Sequence, residues 1–110
     1  MDTQHYRQLV QTLLTQHAQT KPAYGDIEVE LIFDIERDRY QIVHMGWHHQ
    51  RRIHHCVMHI DIRDGKIWIF HNTTEHDLAA ELLTMGVPRE DIVLGLYPPD
   101  LRQFTEFAVS

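Results

Sequence analysis

Long apolar runs are missing from this 110-residue chain. No hydrophobic stretch approaches the roughly 18 residues that a membrane-spanning helix needs, and the opening MDTQHYRQ has neither the basic start nor the apolar segment of a secretory leader. Cysteine is almost absent as well: Cys56 alone can close no internal disulfide and supports no multi-cysteine metal framework. These absences predict a soluble, cytoplasmic protein without a membrane partner. Positive charge is also scarce, with ten Lys and Arg against sixteen Asp and Glu and a net charge of −6. A protein that grips DNA unaided needs clustered cations on the phosphates, so direct high-affinity nucleic-acid binding is disfavoured. Walker A, Gly-rich dinucleotide, G-x-S-x-G and zincin patterns are all lacking, which predicts no enzyme, no cofactor and no small-molecule substrate. No Ser/Gly-rich linker, repeat or low-complexity tract interrupts the chain, so residues 1–110 are expected to form one domain.

What is present suffices for a core. Leu, Ile, Val and Phe make up 31 of the 110 residues, above the roughly 20% below which chains tend to stay unfolded. Tyr6, Leu9, Val10, Leu13, Leu14 and Ala18 recur at spacings of three and four, predicting an amphipathic helix over 3–19 with Asp2 or Thr3 as its cap. From Ile27 the period becomes two. Ile27, Val29, Leu31, Phe33 and Ile35 alternate with Glu28, Glu30, Ile32 and Asp34, the pattern of a half-buried strand whose acidic face meets solvent or a basic partner. Residues 40–47 read as the antiparallel return, 48–52 as a connection, 53–62 as a third strand and 66–70 as a fourth. Asp64-Gly65 between the last two is a strong signal for a two-residue hairpin turn. Thr74 is expected to cap a second helix carrying Leu78, Ala79, Leu82 and Leu83, with Asp77 as its capping-box partner and Gly86 as its stop. Beyond Pro88 the periodicity fails, and 92–109 reads as an irregular tail with room for one short strand. The fold class is therefore α+β: a helix, an antiparallel four-strand meander, a second helix and a tail, with the helices on one sheet face.

Three groupings carry candidate chemistry. His44, His48, His49, His54, His55 and His59 crowd sixteen residues, and a hairpin that set His48 or His49 opposite His54 or His55 could ligate Zn²⁺, Ni²⁺ or Cu²⁺; Arg51 and Arg52 at its tip repel a cation. Strict alternation places Cys56 with Met58, Ile60 and Ile62, away from His55 and His59, so it reads as a buried structural thiol. Asp34 with Asp64 and Lys66 fits the loose acidic-x-Lys pattern of metal-dependent nucleases. A metal-dependent enzyme or nuclease built from these residues or from the His48–His59 cluster is the alternative to a binding protein.

Three segments, YGDIEVELIFDIERDRYQIVHMGW (24–47), HIDIRDGKIWIF (59–70) and above all GVPREDIVLGLYPPDLRQFTEFAV (86–109), closely resemble the XisI family, controlling factors for excision of the fdxN element in nitrogen-fixing cyanobacteria. The resemblance implies a small α+β regulatory protein that acts with an XisH-like protein on site-specific DNA excision, and it brings no catalytic residues with it. The His-rich HHQRRIHHC (48–56) is a departure from the family pattern. Within the tail, Tyr97, Pro98, Pro99, Phe104 and Phe107 combine rigid backbone with apolar side chains and are the candidate partner-binding residues. A homodimer is a further candidate assembly.

Overall fold

A computed structural model describes residues 2–110. Helix α1 spans Thr3–His17, and the Asp2 carboxylate accepts from the His5 amide at 2.8 Å, so Asp2 is the cap. Its stripe of Tyr6, Val10, Leu13 and Leu14 is buried against the sheet. Strands β1 (Asp26–Asp34), β2 (Arg39–His48), β3 (Arg51–Arg63) and β4 (Lys66–Asn72) form the expected antiparallel meander. A fifth strand, β5 (Ile92–Val93), then joins β4 in parallel, giving the order β1-β2-β3-β4-β5. The four-strand expectation is corrected on this point. Two residues are too few to show a period, and their place is set by the crossover through α2 (Leu78–Thr84).

Local chemistry explains most of the connections. Asp64 and Gly65 both have positive φ (52° and 75°), as a type I′ turn requires. The expected 48–52 connection shrinks to His49-Gln50, because His49 itself adopts φ 57° and lets β2 and β3 run on to the turn. Helix α2 is capped by Asp77, whose carboxylate accepts from Ala80 N at 3.0 Å; Thr74 instead organises the preceding loop, bonding Asn72 and accepting from His76 N. The cap lies three residues later than expected because Asn72 occupies Thr74's hydroxyl. Past its end, Val87 N bonds Leu82 O and Gly86 N bonds Leu83 O, with Gly86 at φ 97°. This is a Schellman stop that also buries Val87 against Leu82. The tail is more ordered than its sequence suggests: Pro98 and Pro99 open a short helix α3 (Pro99–Arg102), and Ala108 returns to bridge Val93.

The core lies between one sheet face and the helices. Pairing places Phe33, Tyr40, Ile60 and Ile69 in one transverse row and Ile62, Ile67 and Ile92 in another, and both rows face α1 and α2. Two polar ties fix α1 on this face. The buried Tyr6 hydroxyl donates to Asp91, while Arg7 grips Asp38 through Nε (2.7 Å) and a second guanidinium nitrogen (3.1 Å). Tyr40 also donates to Asp38, and burial followed by that carboxylate pushes its hydroxyl up to about 12. Strand β1 departs from the alternation prediction. It is an edge strand in which only Ile27 is fully buried and Leu31 remains 38% exposed.

Two outcomes test this fold. A Cβ on Gly46 would stand 1.9 Å from the Asp26 carbonyl oxygen, so Gly46→Ala should lower unfolding free energy by about 2 kcal/mol in urea titration and loosen β1 from β2. The Arg7 bond holds the Asp38 carboxyl below its ordinary range. A carboxyl depressed in the folded state stabilises the fold above its unfolded pKa, and that stability drains as acidity protonates it. Acid unfolding of the native protein should therefore steepen below about pH 4, and Asp38→Asn should flatten that limb.

Candidate functional site

A β-bulge decides which side chains reach which face. The register between β2 and β3 pairs Ile42 with Met58 but Val43 with Cys56, so Val57 is the extra residue. Val57 and Met58 both enter the core, and the phase of β3 inverts on either side of them. Cys56 consequently lies on the outer face with His54, His59 and Asp61, and not with Met58, Ile60 and Ile62 as strict alternation predicts. Its thiol is half-buried, donates to Met58 O at 3.3 Å and is pushed up by burial, the opposite of nucleophilic activation.

The histidine candidates separate for the same reason. His55 faces His44 across the ladder, ring centroids 5.5 Å apart, on the helix side; His54 pairs with Met45 on the outer side; His48 pairs with Arg51, its ring edge-to-face with Tyr24 and tilted against His49. Neither His48 nor His49 stands opposite His54 or His55, and the described residues hold no group of three or more His, Cys, Asp or Glu positioned for a metal. Asp34 is equally distant from its proposed companions. It lies on β1 bonded to Arg37, two strands away from the β3–β4 hairpin that carries Asp64 and Lys66, and the Lys66 amine donates to the Ser110 carbonyl.

Two unforeseen clusters appear in their place. On the outer face, Asp34, Arg39, Asp61, Trp68 and Val93 form one transverse row. Asp61 is fully buried: one carboxylate oxygen takes His59 Nε2 at 2.7 Å, and the other takes Arg63 at 2.8 and 3.1 Å and Arg39 at 3.2 Å. Arg63 lies 4.8 Å over Phe70, Phe70 stacks on Trp68, and Arg102 of α3 lies 5.2 Å over Trp68. The tail is thereby clamped to the sheet. On the helix side, His17, His44 and His76 line a cavity of about 220 Å³ floored by Ile42, Val57 and Met58, and Glu81 holds His17 at 3.0 Å. Sequence spacing could not reveal it, since its histidines come from α1, β2 and the loop before α2.

The partner-binding candidates divide. Phe104 is 80% and Tyr97 43% exposed, Pro98 and Pro99 are exposed at the start of α3, and Leu96 and Leu101 add apolar surface beside them. Phe107 is different: it packs against the core with Arg89 over its ring, so it supports the fold. Trp47 is half-exposed under Arg52, outside the core. No helix among the described residues is long and apolar enough to cross a membrane.

Helices α1 and α2 on one face of a mostly antiparallel five-strand sheet, and an ion-pair and aromatic network on the other that also holds the short α3, define a small α+β sheet protein. The expectation that all helices share one face is met only by α1 and α2. The chain belongs to the XisI family, whose sequence model, XisI protein, matches residues 1–109. It is 50% identical to an XisI-like protein from Anabaena variabilis ATCC 29413, covering 96% of this chain and 97% of that one, with a TM-score of 0.91. It is 32% identical to the fdxN element excision controlling factor XisI of the same organism, covering 97% of each, with a TM-score of 0.84. No curated protein matches it.

Removing the Asp61 charge should unpin this face. Asp61→Asn is expected to cost about 2 kcal/mol in urea unfolding, and Arg63→Gln less, since that arginine is 46% exposed. Burial and then the neighbouring His55 hold the His44 imidazole below its ordinary value. The unfolded chain therefore takes up that proton first, and stability should fall as pH drops from about 7 towards 6, a slope that His44→Phe should reduce.

Proposed function

We propose that this protein is a non-enzymatic controlling factor for excision of a DNA element of the fdxN type, acting by binding an XisH-like protein through its C-terminal tail. The observation that carries this reading is full-length similarity to an fdxN element excision controlling factor from Anabaena variabilis. The exposed apolar side chains on α3 and its flanks support the choice of surface: Tyr97 and Phe104 are the aromatic anchors, Leu96 and Leu101 widen the patch, and Pro98-Pro99 stiffens it. Clamping of Arg102 on Trp68 presents this patch on a fixed base, which reduces the ordering cost of association. The separation of Asp34 from Asp64 and Lys66, and of the histidines from one another, leaves the nuclease alternative without a supporting observation.

Co-expression with an XisH-like protein encoded in the same genome should give a complex that survives gel filtration. Phe104→Ala or Tyr97→Ala should weaken it by about 2 kcal/mol, roughly thirtyfold, with unchanged circular dichroism. No complex under these conditions would refute the reading, whereas a complex indifferent to both changes would shift the interface to the acidic strand face of Glu28, Glu30 and Asp34. The isolated protein should show no specific duplex binding at about 150 mM salt.

A further inference from the structure

We propose that the cavity between the end of α1, β2 and the loop before α2 is a binding site for a small aromatic carboxylate. Its volume of about 220 Å³ lies below the roughly 300 Å³ at which pockets for drug-sized ligands begin, so the occupant is a single ring bearing one polar group. Ile42, Val57 and Met58 form the floor, and all three are buried. The Met58 thioether suits an aromatic edge, and the rings of His17 and His76, with centroids 4.6 Å apart, add an aromatic wall.

The lining above that floor distinguishes this cavity from the others. In a chain of net charge −6 it contains no Asp or Glu, but it does contain Lys21 and three histidines. Three further cavities, of about 500, 370 and 260 Å³, each include a carboxylate: Asp26 and Glu28 in the first, Glu75 and Asp77 in the second, Glu81 in the third. The end of α1 accounts for His17 and Lys21, because cations favour helix C-termini, but His44 comes from β2 and His76 from the loop before α2. Existing bonds sort the available donors. Glu81 holds Nε2 of His17 at 3.0 Å and the Thr74 hydroxyl donates to Asn72 at 2.7 Å, so these two side chains serve as walls. Among the described residues, the side chains of Thr20, Lys21, His44 and His76 have no hydrogen-bond partner, which leaves an ammonium, two imidazoles and a hydroxyl for the ligand. The three histidines do not form a group positioned for a metal. One cation and neutral donors above an apolar floor match a carboxylate on a ring; inorganic phosphate would turn unpaired oxygens towards Ile42, Val57 and Met58.

Benzoate is the probe. Titrated into the native protein near neutral pH, it should give saturable shifts in imidazole nitrogen correlation spectra, largest at His17, His44 and His76 among the ten histidines. Benzamide, of the same shape without the charge, should bind about tenfold more weakly, the effect of losing a charge-assisted hydrogen bond. Lys21→Met, in the exposed loop after α1, should weaken benzoate by a similar factor and leave benzamide unchanged, and Thr20→Trp should exclude both by filling the mouth. The comparison of ligands uses the unaltered chain, so it stands even if a variant folds poorly. Absence of saturable shifts at millimolar benzoate overturns the proposal, as does equal affinity for benzamide, tighter binding of inorganic phosphate, or benzoate shifts that persist unchanged in Thr20→Trp.

Discussion

One inserted residue governs the sheet. Because Val57 has no counterpart on β2, β3 changes phase at its midpoint, and a strand of thirteen residues gives Val57, Met58, Ile60 and Ile62 to the core while turning Cys56, His59 and Asp61 outward. Without the bulge the strand would face its isoleucines inward only at the expense of its first half. The split of the histidine-rich segment, the half-burial of the thiol and the placement of the buried carboxylate all follow from it.

The outer face shows what a sheet does with a side that neither α1 nor α2 covers. Asp61 is withdrawn from water, and a carboxylate there is tolerable only with its lone pairs occupied; two arginines and a histidine occupy them. Those arginines do double duty, since Arg63 also covers Phe70 and, through the stacked Trp68, continues into Arg102 of the tail. Charge and aromatic surface shield one another in a chain with only ten Lys and Arg. The apolar surface left over is concentrated on the tail and on β1.

The elements fixed by local chemistry were legible in advance: the α1 stripe, the Asp64-Gly65 turn, the meander and the Gly86 stop each follow from residues within a few positions of one another. Elements fixed by distant partners were not. The two residues of β5 carry no period, and only the open edge of β4 makes them a strand. Asp77 outcompetes Thr74 as a cap because Asn72 engages Thr74 first. The bulge left no local mark, so the alternation that located β3 also misassigned the faces of Cys56 and His55. For the site, Tyr97, Pro98, Pro99 and Phe104 were readable as aperiodic apolar residues, whereas Phe107 needed the fold to show that it has cover. The cavity of His17, His44 and His76 assembles residues almost sixty positions apart.

The parallel pairing of β5 has a consequence for the order in which the chain takes shape. The hairpins of β1 to β4 close between neighbours in sequence and can form as the polypeptide leaves the ribosome, N-terminal segments first. The strand that covers β4 arrives only after α2 has been made, and the Ala108 bridge later still. A nascent chain ending near residue 90 would therefore carry an uncovered strand at both margins of its sheet, where the completed fold has one, making the interval between translation of α2 and of the tail the most aggregation-sensitive stage of synthesis.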